Sequence, residues 1–170
     1  MDFLRSWHRW RGQSLVPKRS QIKLHDMPDL MRGMMLLDAH GPDTFIFRYA
    51  GSIFQEAYDY DFTGLNYLDI TSPGDKSIRA RRLWAQASHP VASVWMTPSV
   101  RDINFIGVSV PIWPDAPDTY TKIMQVLIPV RDPHHLASER RQRGQGKVER
   151  STSFRYLDIG AGIPEDDLQA

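Results

Sequence analysis

Arg48 lies in the middle of the run Thr44-Phe45-Ile46-Phe47-Arg48-Tyr49-Ala50, where a guanidinium among aromatic side chains needs a partner. A strand inside a sheet rarely carries an arginine unless a carboxylate, a carbonyl or a ligand anion meets it. Two readings follow. One is an ion pair with an acidic side chain such as Asp69 or Glu56, the ordinary fate of a buried charge. The other is an anchor for a ligand carboxylate or phosphate. Tyr49, Trp84 and Trp95 offer flat faces and polar edges that suit a ring-bearing ligand, and they equally suit a filled core. Arg48, Tyr49, Trp84 and Trp95 are therefore the candidate ligand-binding residues.

The histidines speak less clearly. His89 follows a long helical stretch and precedes Pro90, a position for an axial haem ligand or, more ordinarily, for a surface cap at a helix-ending turn. His134 and His135 are adjacent, so their rings point to different sides, and no third ligand stands at a zinc-site spacing. Catalysis needs a nucleophile with a base, or paired carboxylates, on loops above a scaffold. Asp59 and Asp61 instead flank Tyr60 in a turn-like segment, and Ser109 has no G-x-S-x-G elbow around it. The chain has no cysteine, which removes disulfides, thiolate zinc sites, iron–sulfur clusters and cysteine nucleophiles together. The expectation is a protein that is not an enzyme, holds no metal, and names no cofactor in its sequence.

The elements that position these residues follow from periodicity. Phe45, Phe47 and Tyr49 alternate with Ile46, Arg48 and Ala50, which predicts a strand with one aromatic face. Gly51 ends it, and Ser52 is the expected N-cap of a short helix holding Ile53, Phe54 and Ala57. Before it, Pro28 opens a helical turn with Leu30, Met31 and Met34 facing inward. Met34–Asp38 reads as a first strand, joined to the next by His40-Gly41-Pro42-Asp43, which has hairpin-turn chemistry. Asp75–Ala87 lacks Gly and Pro and predicts a helix that Ser88-His89-Pro90 breaks. Val91–Thr97, Asn104–Pro111 and Thr121–Val130 are three further strands, separated by turns at Pro98–Asp102 and Trp113–Thr119. The expected architecture is α+β: a five-stranded antiparallel sheet with helices crossing over one face.

The two ends differ from this middle. Asp2–Arg11 predicts a helix with Phe3, Trp7 and Trp10 at i, i+4 and i+7, an aromatic stripe that packs on the domain or on a second copy, and these three are the candidate dimer contacts. Ser138–Arg150 is rich in arginine with little that is apolar, which suggests a helix end and a loop. Phe154–Ile159 alternates again and is expected to dock as a short extended piece. The divisions are residues 1–21 as a flank, 22–133 as the domain and 134–170 as a basic tail. At 170 residues with 21 Lys+Arg against 20 Asp+Glu, the chain suits one domain and carries no global field for nucleic acid or an anionic membrane. No apolar run approaches a membrane span, and the first fifteen residues lack a signal-peptide core, so a cytoplasmic protein is expected.

Four stretches together, Leu15-Val16-Pro17-Lys18-Arg19, Phe47-Arg48-Tyr49-Ala50-Gly51, Phe62-Thr63-Gly64 and Tyr156-Leu157-Asp158-Ile159-Gly160-Ala161-Gly162, are similar to those of PAS domains. With the order strand, strand, short helices, long helix and three strands, the chain resembles a divergent single-domain bacterial branch of that family. The resemblance implies a PAS fold and a sensor or interaction module in signal transduction, its sheet and crossover helices enclosing a cavity for a small molecule. It also implies a homodimer formed through flanking helices, and either a small molecule or a signalling protein as partner, with no specific nucleic acid and no membrane. Flavin or cinnamoyl chromophores bonded to a cysteine are ruled out. The other reading is an adaptor for proteins with a filled, ligand-free core.

Overall fold

The computed structural model describes residues 2–97, 104–117, 119–130, 147–148, 151 and 153–164. Its helices are α1 (Asp2–Arg11), α2 (Ser52–Tyr58) and α3 (Lys76–Ser88), and its strands are β1 (Met34–Gly41), β2 (Thr44–Ala50), β3 (Val91–Met96), β4 (Asn104–Ile112), β5 (Thr121–Val130) and β6 (Ser153–Asp158). The strands form one sheet in the order β2-β1-β5-β4-β3-β6, every neighbouring pair antiparallel. The fold class is the expected α+β, but the sheet has six strands where five were read. The extra one is the Phe154–Ile159 segment, which pairs with β3 from Val91↔Asp158 to Met96↔Ser153 and so belongs to the folded unit and not to a tail. The turn expected at Pro98–Asp102, His134 and His135, and most of Ser138–Arg150 with its arginines lie outside the described residues.

The expectation of helices over one face needs a second correction. β1 begins Met34-Met35-Leu36-Leu37 and β5 runs Ile123-Met124-Gln125-Val126, so side chains of both parities are apolar or buried and both faces must be covered. Met34, Met124 and Val126 pack with α1, while Met35, Leu37 and Ile123 pack under α2, residues 62–70 and α3. Phe3 and Trp7 are 1% exposed and Trp10 is 5% exposed. The Trp7 indole nitrogen donates to the Pro111 carbonyl of β4 at 3.0 Å, and that of Trp10 to Asp26 Oδ2 at 2.9 Å. The aromatic stripe read as a dimer contact is thus buried in its own chain, because the α1 side of the sheet is itself apolar and needs it. Backbone bonds Trp113 N–H to the Pro17 carbonyl and Arg19 N–H to the Trp113 carbonyl tie the following segment to the sheet as well. Residues 28–33 make a 3-10 turn opened by Pro28, with Leu30 and Met31 against the same core.

The aromatic face predicted for β2 is split by a bulge. Leu36 pairs with Tyr49 but Leu37 pairs with Phe47, so Arg48 is one residue too many on its strand. Phe45 and Phe47 stay under α2 and α3, fully buried. Tyr49 is turned to the α1 side, where its hydroxyl donates to the Met31 carbonyl at 3.0 Å. One step on, Gly51 and not Ser52 caps α2. A Cβ on Gly51 would stand 2.2 Å from the Arg32 carbonyl oxygen, so the chain passes there only as glycine. Ser52 is the first helical residue, and its Oγ accepts from Arg32 Nε at 3.3 Å.

Candidate functional site

The sheet face under α3 is mostly apolar, yet one row of it is not. Ser93 of β3 pairs with Ser109 of β4, and Ser109 pairs with Gln125 of β5, so three polar side chains stand side by side on that face. Ser93 and Ser109 are fully buried, and Gln125 is 3% exposed. Gln86 descends toward them from α3, its Nε2 donating back to the Arg82 carbonyl at 3.2 Å. The Oγ atoms of both serines and the Oε1 atoms of both glutamines are buried without a hydrogen-bond partner. Each such atom costs about 1–3 kcal/mol relative to a satisfied one, and native interiors hold few of them.

Gln86, Ser93 and Gln125 border a cavity of about 740 Å³, counted out to its open side, between the sheet and α2, residues 62–67 and α3, with Ser109 beside it in the same row. Phe54, Phe62 and Leu83 make its apolar wall, and Gln86, Ser93 and Gln125 its polar floor. Trp95 lies across β4 at one end, so close that a Cβ on Gly107 would meet its Cε2 at 2.2 Å. Gly107→Ala is therefore expected to displace the indole and to cost about 1–3 kcal/mol. Trp95 fluorescence and near-ultraviolet circular dichroism read the displacement, and an unchanged spectrum with an unchanged melting temperature contradicts this packing.

The remaining wall comes from the C-terminal segment. Val148 bridges to Thr71, its N–H donating to the Ile70 carbonyl at 2.8 Å. Two arginines one helical turn apart on α3 hold this segment. Arg79 donates to the Val148 carbonyl at 3.4 Å with its guanidinium 4.6 Å from the Tyr67 ring centre. Arg82, 6% exposed, donates to Ser151 Oγ at 3.0 Å and lies 4.0 Å from the Phe154 ring centre. Both also line the cavity, so its wall and the approach to β6 share the same two cations.

Of the four candidate ligand residues, Trp95 alone borders the cavity. Tyr49 is on the opposite side of the sheet for the reason given by the bulge. Trp84 is 37% exposed on α3. Arg48 meets neither Asp69 nor Glu56: its Nε donates to Asp38 Oδ2 at 2.5 Å, and Lys122 Nζ donates to the other carboxylate oxygen. Burial pushes the Asp38 carboxyl up, but hydrogen bonds from Lys122 and Arg48 more than reverse this and hold it below its ordinary value. Glu56 is taken by Arg32 at 2.9 Å. His89 is half-buried, with a ring nitrogen 3.2 Å from the Gly162 carbonyl, beside a turn in which Asp158 accepts from the N–H groups of Gly160 and Gly162. Gln86, Ser93 and Gln125 escaped sequence reasoning, and Ser109 was weighed there only as a nucleophile. Their one signal was polarity at a core position: Gln125 sits in Ile123-Met124-Gln125-Val126, a run buried from both sides.

An antiparallel sheet whose helical crossover leaves a hollow with a polar floor defines an α+β module of the cavity-forming kind. A family model described as "PAS domain" matches residues 1–102, more than half of the chain, and the chain belongs to the PAS domain family. The match includes α1, in keeping with its burial in the fold. A search of the curated proteins finds no match. Among the described residues, no helix is long and apolar enough to cross a membrane.

Proposed function

We propose that this chain is a PAS-type sensory or regulatory module of bacterial signalling that binds a small molecule in the cavity under α3 and acts through contacts with a second copy or a signalling protein. The observation that carries this reading is the set of four partnerless buried oxygens on and beside the floor of a hollow walled by Phe54, Phe62 and Leu83. A filled core supporting only protein contacts has no use for them, whereas a ligand offers them hydrogen bonds. The output would be a population shift. Arg79 and Arg82 touch both the cavity and the segment at Val148 and Ser151, so a ligand that changes their positions favours one arrangement of that segment and of β6 beyond it. Phe3, Trp7 and Trp10 are spent inside the fold, so contacts between copies must use other surfaces. No catalytic role is proposed for the chain, and a cytoplasmic location accords with this reading.

Native mass spectrometry of freshly purified protein tests the proposal. A fraction of the protein carrying one extra small-molecule mass, lost on mild unfolding, is expected. Protein that is bare in every preparation, and whose melting temperature no small-molecule collection raises, overturns the sensor reading in favour of an adaptor with no ligand.

A further inference from the structure

The donors and acceptors on the cavity floor specify what enters it. The Gln86 amide is oriented by its Nε2 bond to the Arg82 carbonyl, which leaves Oε1 as an acceptor only. Gln125 presents a second partnerless Oε1 from the sheet, and the Ser93 and Ser109 hydroxyls rotate to suit whatever arrives. A ligand bearing only acceptors, such as an ether or ester, leaves both glutamine oxygens unmet. Asp75, Arg79 and Arg82 line the same cavity, so its wall holds charge of both signs and the donor count, not net charge, is what the floor specifies. The walls are Phe54, Phe62 and Leu83 with the flat Trp95 at one end, a lining for a ring.

We infer that the ligand is a ring-bearing molecule carrying at least two O–H or N–H donors, which it gives to Gln86 and Gln125 while its ring lies against the apolar walls. This rests on the cavity being a ligand site, as proposed above. The Ser93 hydroxyl completes the polar edge, with Ser109 beside it in the sheet.

Calorimetric titration of the full chain with toluene, phenol and resorcinol, one ring with zero, one and two donors, tests the inference. Affinity is expected to rise about fivefold to tenfold with each hydroxyl. In Gln125→Met, which keeps the bulk and removes the acceptor, the advantage of resorcinol over phenol is expected to vanish while toluene binds at least as well. Should that variant not fold, Gln86→Met makes the same prediction. Equal affinity for toluene, phenol and resorcinol overturns the donor assignment while leaving the cavity a ligand site. If none of the three rings binds, the ligand-site reading falls and the donor assignment with it.

Discussion

Trp7→Ala is expected to remove about 3–5 kcal/mol from the stability of the folded chain, the usual loss for a buried large aromatic side chain. Trp7 is 1% exposed between α1 and the sheet, and its truncation also strips the Pro111 carbonyl of the indole N–H that meets it at 3.0 Å. The loss belongs to the single chain. Denaturant unfolding at two protein concentrations tenfold apart is therefore expected to give the same midpoint shift at both. If Trp7 were instead the contact between two copies, the variant would retain its monomer stability and lose association, and the shift would depend on concentration.

Asp38→Ala is expected to cost about 3 kcal/mol, since it leaves Lys122 and Arg48 without the carboxylate that lies between them. Asp38 is 2% exposed, which makes it the most buried of the ion-paired acids among the described residues. Because its folded-state carboxyl titrates below the ordinary 3.8, the unfolded chain binds more protons through that interval, and stability rises with pH there. The contribution of Asp38 is present in full above the unfolded value and is lost as pH falls below about 4 toward the folded value. Urea unfolding from pH 2 to pH 6 is thus expected to show a steeper acid loss in the natural chain than in Asp38→Ala. Parallel curves contradict the ion triad.

How much of this was legible in the sequence depended on whether a local rule decided the outcome. Helix α3 and strands β3, β4 and β5 followed from Gly and Pro punctuation and apolar runs, and their ends fall within a residue or two of the reading. β6 was visible as an alternating segment, but its pairing with β3 is a choice between distant strands that no local pattern encodes. The split of Tyr49 from Phe47 required the bulge at Arg48. An extra residue leaves the period of two unbroken in the sequence and reverses it in space. The same displacement misled the search for the partner of Arg48, because Asp38 is its neighbour only through the pairing of β1 with β2. The cavity floor was the least legible part. A lone serine or glutamine in a strand reads as a solvent-facing residue until both faces of that strand are known to be covered.

The central claim is that the hollow beneath α3 is where a small molecule binds, and the indole N–H region of a ¹H–¹⁵N spectrum tests it directly. The chain has five tryptophans, of which Trp95 borders the cavity while Trp7 and Trp10 lie on the other side of the sheet. On titration with phenol, the Trp95 indole signal is expected to move and saturate while those of Trp7 and Trp10 stay in place. A Trp95 signal that does not move, with shifts only at the exposed Trp84 or Trp113, would contradict the account.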